Sequence, residues 1–316
     1  MRAVVAAVLL LAVSARAAIT RPREFDQFWD STKRHLGVAE LNPVLTPDPD
    51  NSDLVATCFK VSYASLRGVV IHGRYCRPAP EGVYPAVLVS PWYAQGAVPP
   101  PRDLVKEGFA ALSYQARGFD VDLPAYPSEN SYYVLNGLDE PETYVYRDIV
   151  AHALRGLDFL ASRPEVDAKR LGVMGASQGG GVSLMVAGLD KRVAAVAADF
   201  PFLSDWPDSL SAPHSPYSDV REFLAQRANV PQNAKLMKTL SFFDTANVAE
   251  NIAVPVLVQA GLKDQTCPAA GIKKMFGMIK SSSKTLKEYP KADHTDEGPE
   301  RWQTSIDFLA KTLSGR

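Results

Sequence analysis

Long apolar runs, cysteine, histidine and an excess of charge of either sign are all scarce in this chain of 316 residues. Each scarcity excludes something. Lys and Arg together number 34 against 35 Asp and Glu, for a net charge of −1, so no basic field exists to attract nucleic acid or anionic lipid. Beyond Val13 no apolar run approaches the length of a membrane span. The three cysteines include no C-x-x-C pair, which leaves no convincing metal-ligand spacing. Only five histidines occur, so chemistry that needs an imidazole has few candidates. What remains, at 46% hydrophobic and 22% charged, is ordinary for a soluble globular protein. The length suits one large α/β domain.

The early apolar stretch, MRAVVAAVLLLAVSARA, reads as a secretory signal over residues 1–17. Arg2 gives a positive start, Val4 to Val13 the apolar run, and Ala15-Arg16-Ala17 a small-residue cleavage pattern. The expected protein is therefore secreted or periplasmic, with a domain over residues 18–316. Export permits disulfides. Cys58 and Cys76 lie in two strand-like runs, VATCFKVSY and VVIHGRYC, joined by a turn-like segment around residue 67. A hairpin folded there sets positions 58 and 76 opposite each other. A bridge between them would contribute on the order of 3 kcal/mol; two buried free thiols are the alternative. Cys267 is left over.

Hydrophobic periodicity places the elements. Residues 24–36 form an amphipathic helix, and antiparallel strands follow at 54–63 and 69–76. Strands and helices then alternate: strand 84–90, a helical stretch, strand 109–114, helix 142–161, strand 170–176, helix 178–188 and strand 193–199. Residues 201–250, with Pro, Ser and Asp followed by helical pieces, read as an insertion. Alternation resumes with strand 254–261, helix 268–279, strand 285–289 and helix 300–313. Such a pattern predicts a mostly parallel sheet with antiparallel N-terminal strands and helices on both faces. Ligands of such sheets sit beyond the carboxyl ends of the strands.

LGVMGASQGGGV, residues 171–182, drives a strand into a helix through a glycine-crowded turn. G-x-S-x-G in that setting is the nucleophile elbow of α/β-hydrolases. The serine backbone is strained there, so close neighbours must lack bulk. Gly175 and Gly179 meet that need. The turn exposes Ser177 Oγ at a helix N-terminus, where the N–H of Gln178 can face a developing oxyanion. A serine hydroxyl needs a base, and this fold orders its partners Ser, then Asp or Glu, then His. Only His214 and His294 follow Ser177. His294 directly follows the last predicted strand and is the base; His214, in SAPHSPYS, is assigned to the surface or the rim of the site. Asp264, just past strand 254–261, is the orienting acid, with Asp293 and Asp296 as weaker candidates. The second oxyanion donor belongs to the loop SPWYAQGA after strand 84–90. Pro91 has no N–H to give, so Trp92 or Tyr93 supplies it.

These residues carry a family likeness. From about Phe25 to the C-terminus the chain resembles the acetyl xylan esterase / cephalosporin C deacetylase family of α/β-hydrolases. The specific stretches are LDEPETYVYRDIVAHALRGLDFLASRPEVDAKRLGVMGASQGGG, VAADFPFLSD, AGLKDQTCPA and the ADH of residues 292–294. The resemblance implies a triad of Ser177, Asp264 and His294, with Tyr93 and Gln178 giving the oxyanion N–H groups. Three positions depart from the family pattern. Pro91-Trp92-Tyr93 stands where H-G-Y is usual, Arg117-Gly118-Phe119 where R-G-Q is usual, and His294-Thr295 where H-E is usual.

The reading that follows is a secreted serine carboxylesterase that removes acetyl or other short acyl groups from carbohydrates through an acyl-enzyme. Its substrate is a small-molecule or oligosaccharide ester. Its mechanism calls for no metal and no organic cofactor, and neither nucleic acid nor membrane is an expected partner. A peptidase or lipase on the same fold, or a hydrolase-fold protein that binds without turnover, are the alternatives. The resemblance implies a homo-oligomer, often a ring of dimers in the family, and the sequence leaves that assembly open. Residues 201–250 and the loop 119–140 are expected to shape the substrate pocket.

Overall fold

The computed structural model describes residues 21–117, 119–122, 132–227, 230–296 and 298–314. The leader-like residues 1–17 lie outside the described residues. The first helix, α1 (Phe25–Val38), buries Phe25, Phe28, Trp29 and Leu36 on one face, the helical spacing seen in the sequence. Phe28 and Trp29 pack against Phe242 and Phe243.

Three strands follow: β1 (Val44–Pro47), β2 (Ala56–Ala64) and β3 (Val70–Pro78). All three pair antiparallel. The sequence reading missed β1. It is a four-residue edge strand, mostly exposed and ending in proline, so it has no apolar alternation to betray it. The β2–β3 turn centres where the cysteine argument put it: Arg67 and Gly68 have φ of 59° and 75°. Cys58 and Cys76 face each other in the register and form a disulfide, with Cα atoms 4.1 Å apart. Cys267 is free and buried.

The alternating units begin with β4 (Tyr84–Ser90), α2 (Arg102–Lys106), β5 (Ala110–Tyr114) and α3 (Val145–Ala161). Next come β6 (Val166–Ala176), α4 (Gln178–Leu189) and β7 (Val193–Asp199). Between β7 and the next strand lie the short helices α5 (Trp206–Ser209), α6 (Tyr217–Gln226) and α7 (Val230–Ser241). The chain closes with β8 (Val256–Gly261), α8 (Ala269–Met278), β9 (Lys284–Tyr289) and α9 (Gly298–Leu313). Strand order across the sheet is β1-β2-β3-β5-β4-β6-β7-β8-β9. The sheet is antiparallel from β1 to β5 and parallel from β5 to β9. This is the α/β-hydrolase arrangement.

The parallel strands are buried on both faces: β8 has no residue outside the core and β4 only two partly exposed ones. Helices α3 and α4 cover one side through the larger apolar cluster, and α9 covers the other through Ile306, Leu309 and Leu313 against Val87, Met174 and Ala197. Helix α4 is apolar all round, with Gln178 through Ala187 buried, because it lies under other helices as well as on the sheet. Among the described residues no helix is long and apolar enough to cross a membrane.

Candidate active site

The carboxyl ends of β4, β5, β6 and β7, with the loop after β8, converge on one cavity of about 910 Å³, within the size range of small-molecule sites. Ser177 sits at its floor, between β6 and α4, with φ 54° and ψ −118°. A non-glycine residue pays for that conformation only when its surroundings over-determine it. Here the Ser177 N–H donates to Asp199 O at 2.9 Å, and the Ser177 carbonyl accepts from Phe202 and Gly181 at 2.9 and 3.1 Å. The glycines are needed for approach. A Cβ at Gly179 would stand 2.2 Å from Ser90 O, and one at Gly175 would stand 2.6 Å from the Gly179 carbonyl carbon. Any side chain there would push α4 away from β4.

His294 lies in the loop after β9. Its Nε2 is 3.2 Å from Ser177 Oγ, and its Nδ1 is 2.8 Å from Asp264 Oδ2. The Asp264 side chain is fully buried. Its second oxygen, Oδ1, accepts the N–H groups of Thr266 and Cys267, both at 2.8 Å. The carboxylate is thus aimed by its own loop, with one oxygen left for the imidazole. A carboxylate can only accept, so the proton sits on Nδ1 and the lone pair of Nε2 faces the serine. The edge of the Phe200 ring backs the imidazole, centroids 4.6 Å apart. The three residues are 117 and 30 positions apart in sequence, and the sheet brings them within hydrogen-bond reach.

The weaker candidates fall elsewhere. Asp293 and Asp296 bond the local main chain, to Thr295 N and Asp293 N respectively. His214 is exposed and does not line the cavity.

Gln178 opens α4, so no carbonyl one turn back inside the helix claims its N–H. Its side chain does something the sequence did not reveal. Nε2 reaches the carbonyls of Pro91 and Trp92, each at 3.4 Å, while Oε1 accepts from Tyr133 and Tyr146 hydroxyls at 2.7 and 2.9 Å. The loop after β4 is therefore strapped to the head of α4. In that loop the Trp92 N–H bonds Gln95 Oε1 at 3.2 Å. Because the Trp92 carbonyl turns toward Gln178, the Tyr93 N–H of the same planar peptide turns the opposite way.

The cavity wall is mostly apolar: Trp92, Val98, Pro99, Pro100, Pro101, Phe200, Pro299 and Trp302. Ser215 and Pro216 reach it from residues 201–250, as expected. The described part of 119–140 does not line it; Tyr133 instead braces Gln178 from behind. Much of the pocket wall comes from the proline-rich loop after β4, where the sequence reading placed the second oxyanion donor, and from α9, which it had not assigned there. Phe119 is half-buried, and Gly118 lies outside the described residues. Beneath the site, burial pushes the Asp199 carboxyl up to about 7, with Asp264 adding to the shift and Arg301 opposing it. Burial likewise pushes the Cys267 thiol up, so it stays protonated.

Comparison with known proteins gives the family. Residues 12–312 match the model of a family described as acetyl xylan esterase. The chain is 28% identical over 285 residues to the acetyl esterase Axe7A of Xylanibacter ruminicola, covering 84% of this chain and 62% of that protein. It thus spans less than two thirds of that relative. An acetyl xylan esterase from Paenibacillus sp. R4 superposes with a TM-score of 0.83 at 29% identity, covering 93% of this chain and 96% of the other. Acetyl xylan esterase 1 from Thermoanaerobacterium sp. JW/SL YS485 gives 0.81 at 26% identity, with 94% and 97% covered. With the family model matching nearly the whole length, the chain belongs to the acetyl xylan esterase family.

Proposed function

We propose that this chain is a serine carboxylic ester hydrolase that removes acetyl and other short acyl groups from acetylated carbohydrates. The observation that carries the reading is the continuous line from Asp264 through His294 to Ser177 Oγ at 2.8 and 3.2 Å. Family membership supports the ester and the sugar. Residues 1–17 support export.

In the proposed reaction, Ser177 Oγ attacks the ester carbonyl carbon as its proton passes to His294 Nε2. Asp264 holds the ring and stabilises the imidazolium. The N–H groups of Tyr93 and Gln178 bond the oxyanion. Collapse breaks the carbonyl–oxygen bond to the sugar, whose oxygen takes the proton from His294, and an acetyl ester remains on Ser177. Water then loses a proton to His294 and attacks that ester. Acetate leaves and Ser177 recovers its proton.

The test uses aryl esters of graded acyl length and acetylated xylo-oligosaccharides, with Ser177→Ala as the control. Expected is acetate release from both acetyl substrates, a steep fall beyond short acyl chains, and loss of turnover by at least about 10⁴-fold in the variant, whose unfolding midpoint stays near wild type. Wild-type turnover by the variant would end the mechanism. Hydrolysis of aryl acetates without any acetylated sugar would end the carbohydrate assignment alone.

A further inference from the structure

Residues 290–296, after β9, carry His294 without regular secondary structure. Asp264 and Phe200 hold the imidazole, but a ring held only at its tip can tilt with its main chain. Lys263 N–H holds the Ala292 carbonyl at 3.0 Å; at the histidine itself the main chain is gripped by Arg301, in the first turn of α9 and wholly buried. Its Nη2 donates to the His294 carbonyl at 3.1 Å and its Nη1 to the Asp293 carbonyl at 3.4 Å. The guanidinium lies over the Phe200 ring, 4.1 Å from its centroid, and the edge of that ring backs the imidazole. Its Nε stands 3.6 Å from Asp199 Oδ2, on the residue whose carbonyl receives the Ser177 N–H. The Arg301 carbonyl in turn accepts Gln259 Nε2 at 2.9 Å, and Gln259 Oε1 accepts the Tyr289 hydroxyl at 2.7 Å. One buried network therefore joins the start of α9, the ends of β7 and β8, and both ends of the histidine loop.

As a stabilising device this network is poor. Burying a guanidinium and a carboxylate is costly unless every donor and acceptor is paired, and among the described residues Asp199 Oδ1 and Arg301 Nε have no hydrogen-bond partner. Apolar residues would fill the space at lower cost. What apolar residues cannot do is grip two consecutive carbonyls beside the imidazole. We propose that Arg301 is a positioning residue for the catalytic base: it fixes the His294 main chain so that Nε2 meets Ser177 Oγ in the reactive geometry. The inference rests on the reading of His294 as that base.

The test is steady-state hydrolysis of an aryl acetate by Arg301→Met, Arg301→Lys and the double variant Asp199→Asn/Arg301→Met, with thermal unfolding measured alongside. The double variant leaves no orphaned buried charge, so it separates folding from positioning. Expected is a fall in kcat of about 100-fold in Arg301→Met, the scale of an ångström-sized misplacement, with KM within about threefold because Arg301, although it borders the cavity, has no exposed surface to offer a substrate. Arg301→Lys, able to reach one carbonyl, recovers part of the loss. The double variant regains thermal stability and stays as slow as Arg301→Met. Recovery of kcat together with stability would overturn the inference, and so would a rise in KM at constant kcat, which would make Arg301 a substrate contact. Those outcomes leave the esterase reading standing. A wild-type chain without aryl acetate turnover removes both.

Discussion

Gly179 shows how much of the site depends on an atom that is missing. The close approach of α4 to the end of β4 lets the Gln178 side chain reach the Pro91 and Trp92 carbonyls, and the contact at Ser90 O has no room for a methyl group. Gly179→Ala should therefore cost about 1–3 kcal/mol of stability, the usual range for overpacking. It should also lower kcat on an aryl acetate, because the Gln178 N–H moves with the helix. Gly37, near the end of α1, has nothing within 4 Å of its would-be Cβ. There the same substitution should stabilise by about 0.5–1 kcal/mol through helix propensity, leaving kcat unchanged. Urea unfolding and kinetics on the two variants check both statements; equal effects at the two sites would contradict them. At this scale the sequence was most legible where chemistry needs a rare residue type. Two histidines follow Ser177, and only one can return to it. It was least legible where a common residue acts through burial. Arg301, Gln95 and Tyr133 carry no motif, and their roles come from contacts that range from 3 to 102 positions away and that only the fold sets up.

Among the elements, α3 is tied to the end of β5 by His152, which bonds the Ala116 carbonyl through Nδ1 at 2.7 Å and is buried. A carbonyl only accepts, so Nδ1 carries a proton, and burial away from water keeps the ring neutral. Burial holds its pKa down to about 4, well below the ordinary histidine range. The unfolded chain takes up this proton as pH falls through the ordinary histidine range, and the folded chain does not until pH is much lower. Stability is thus unaffected above that range and lost as pH falls below it, by about 2 kcal/mol between pH 7.5 and pH 5. His152→Gln, which keeps a donor for Ala116, should remove that part of the pH dependence in urea unfolding curves. A variant as pH-sensitive as the wild type would contradict the assignment. The elements themselves were largely written in the hydrophobic period. Strand β4 matches the reading at both ends, and β5, β7, β8, α4 and α8 match within a residue or two. Strand β6 starts four residues early, at Val166, because its first part is exposed Asp-Ala-Lys with no apolar run. Strand β1 failed for the same reason. Both cases are sheet edges or strand ends, where pairing rather than burial makes the strand.

For the whole molecule, antiparallel strands followed by β-α units gave the sheet, and the sheet gives the site its address. Ser177, Asp264 and the loop after β4 all lie at carboxyl ends of parallel strands, where a doubly covered sheet leaves an open crevice. The pocket wall was the hidden part. Loops meet there from places the sequence does not associate, as Pro99 to Pro101 meet Pro299 and Trp302 across the cavity. The disulfide between Cys58 and Cys76 lies on the antiparallel side, away from this crevice, and bears on the scaffold rather than on the chemistry. The central claim is that distant side chains act as one unit at that crevice. A fluorophosphonate probe, followed by mapping of the adduct by mass spectrometry in the wild type and in His294→Ala, tests it most directly. The account predicts a single adduct on Ser177, formed at least about 100-fold more slowly without the histidine, the scale of general-base assistance. An adduct on another residue, or labelling of Ser177 at the same rate in both proteins, would contradict it.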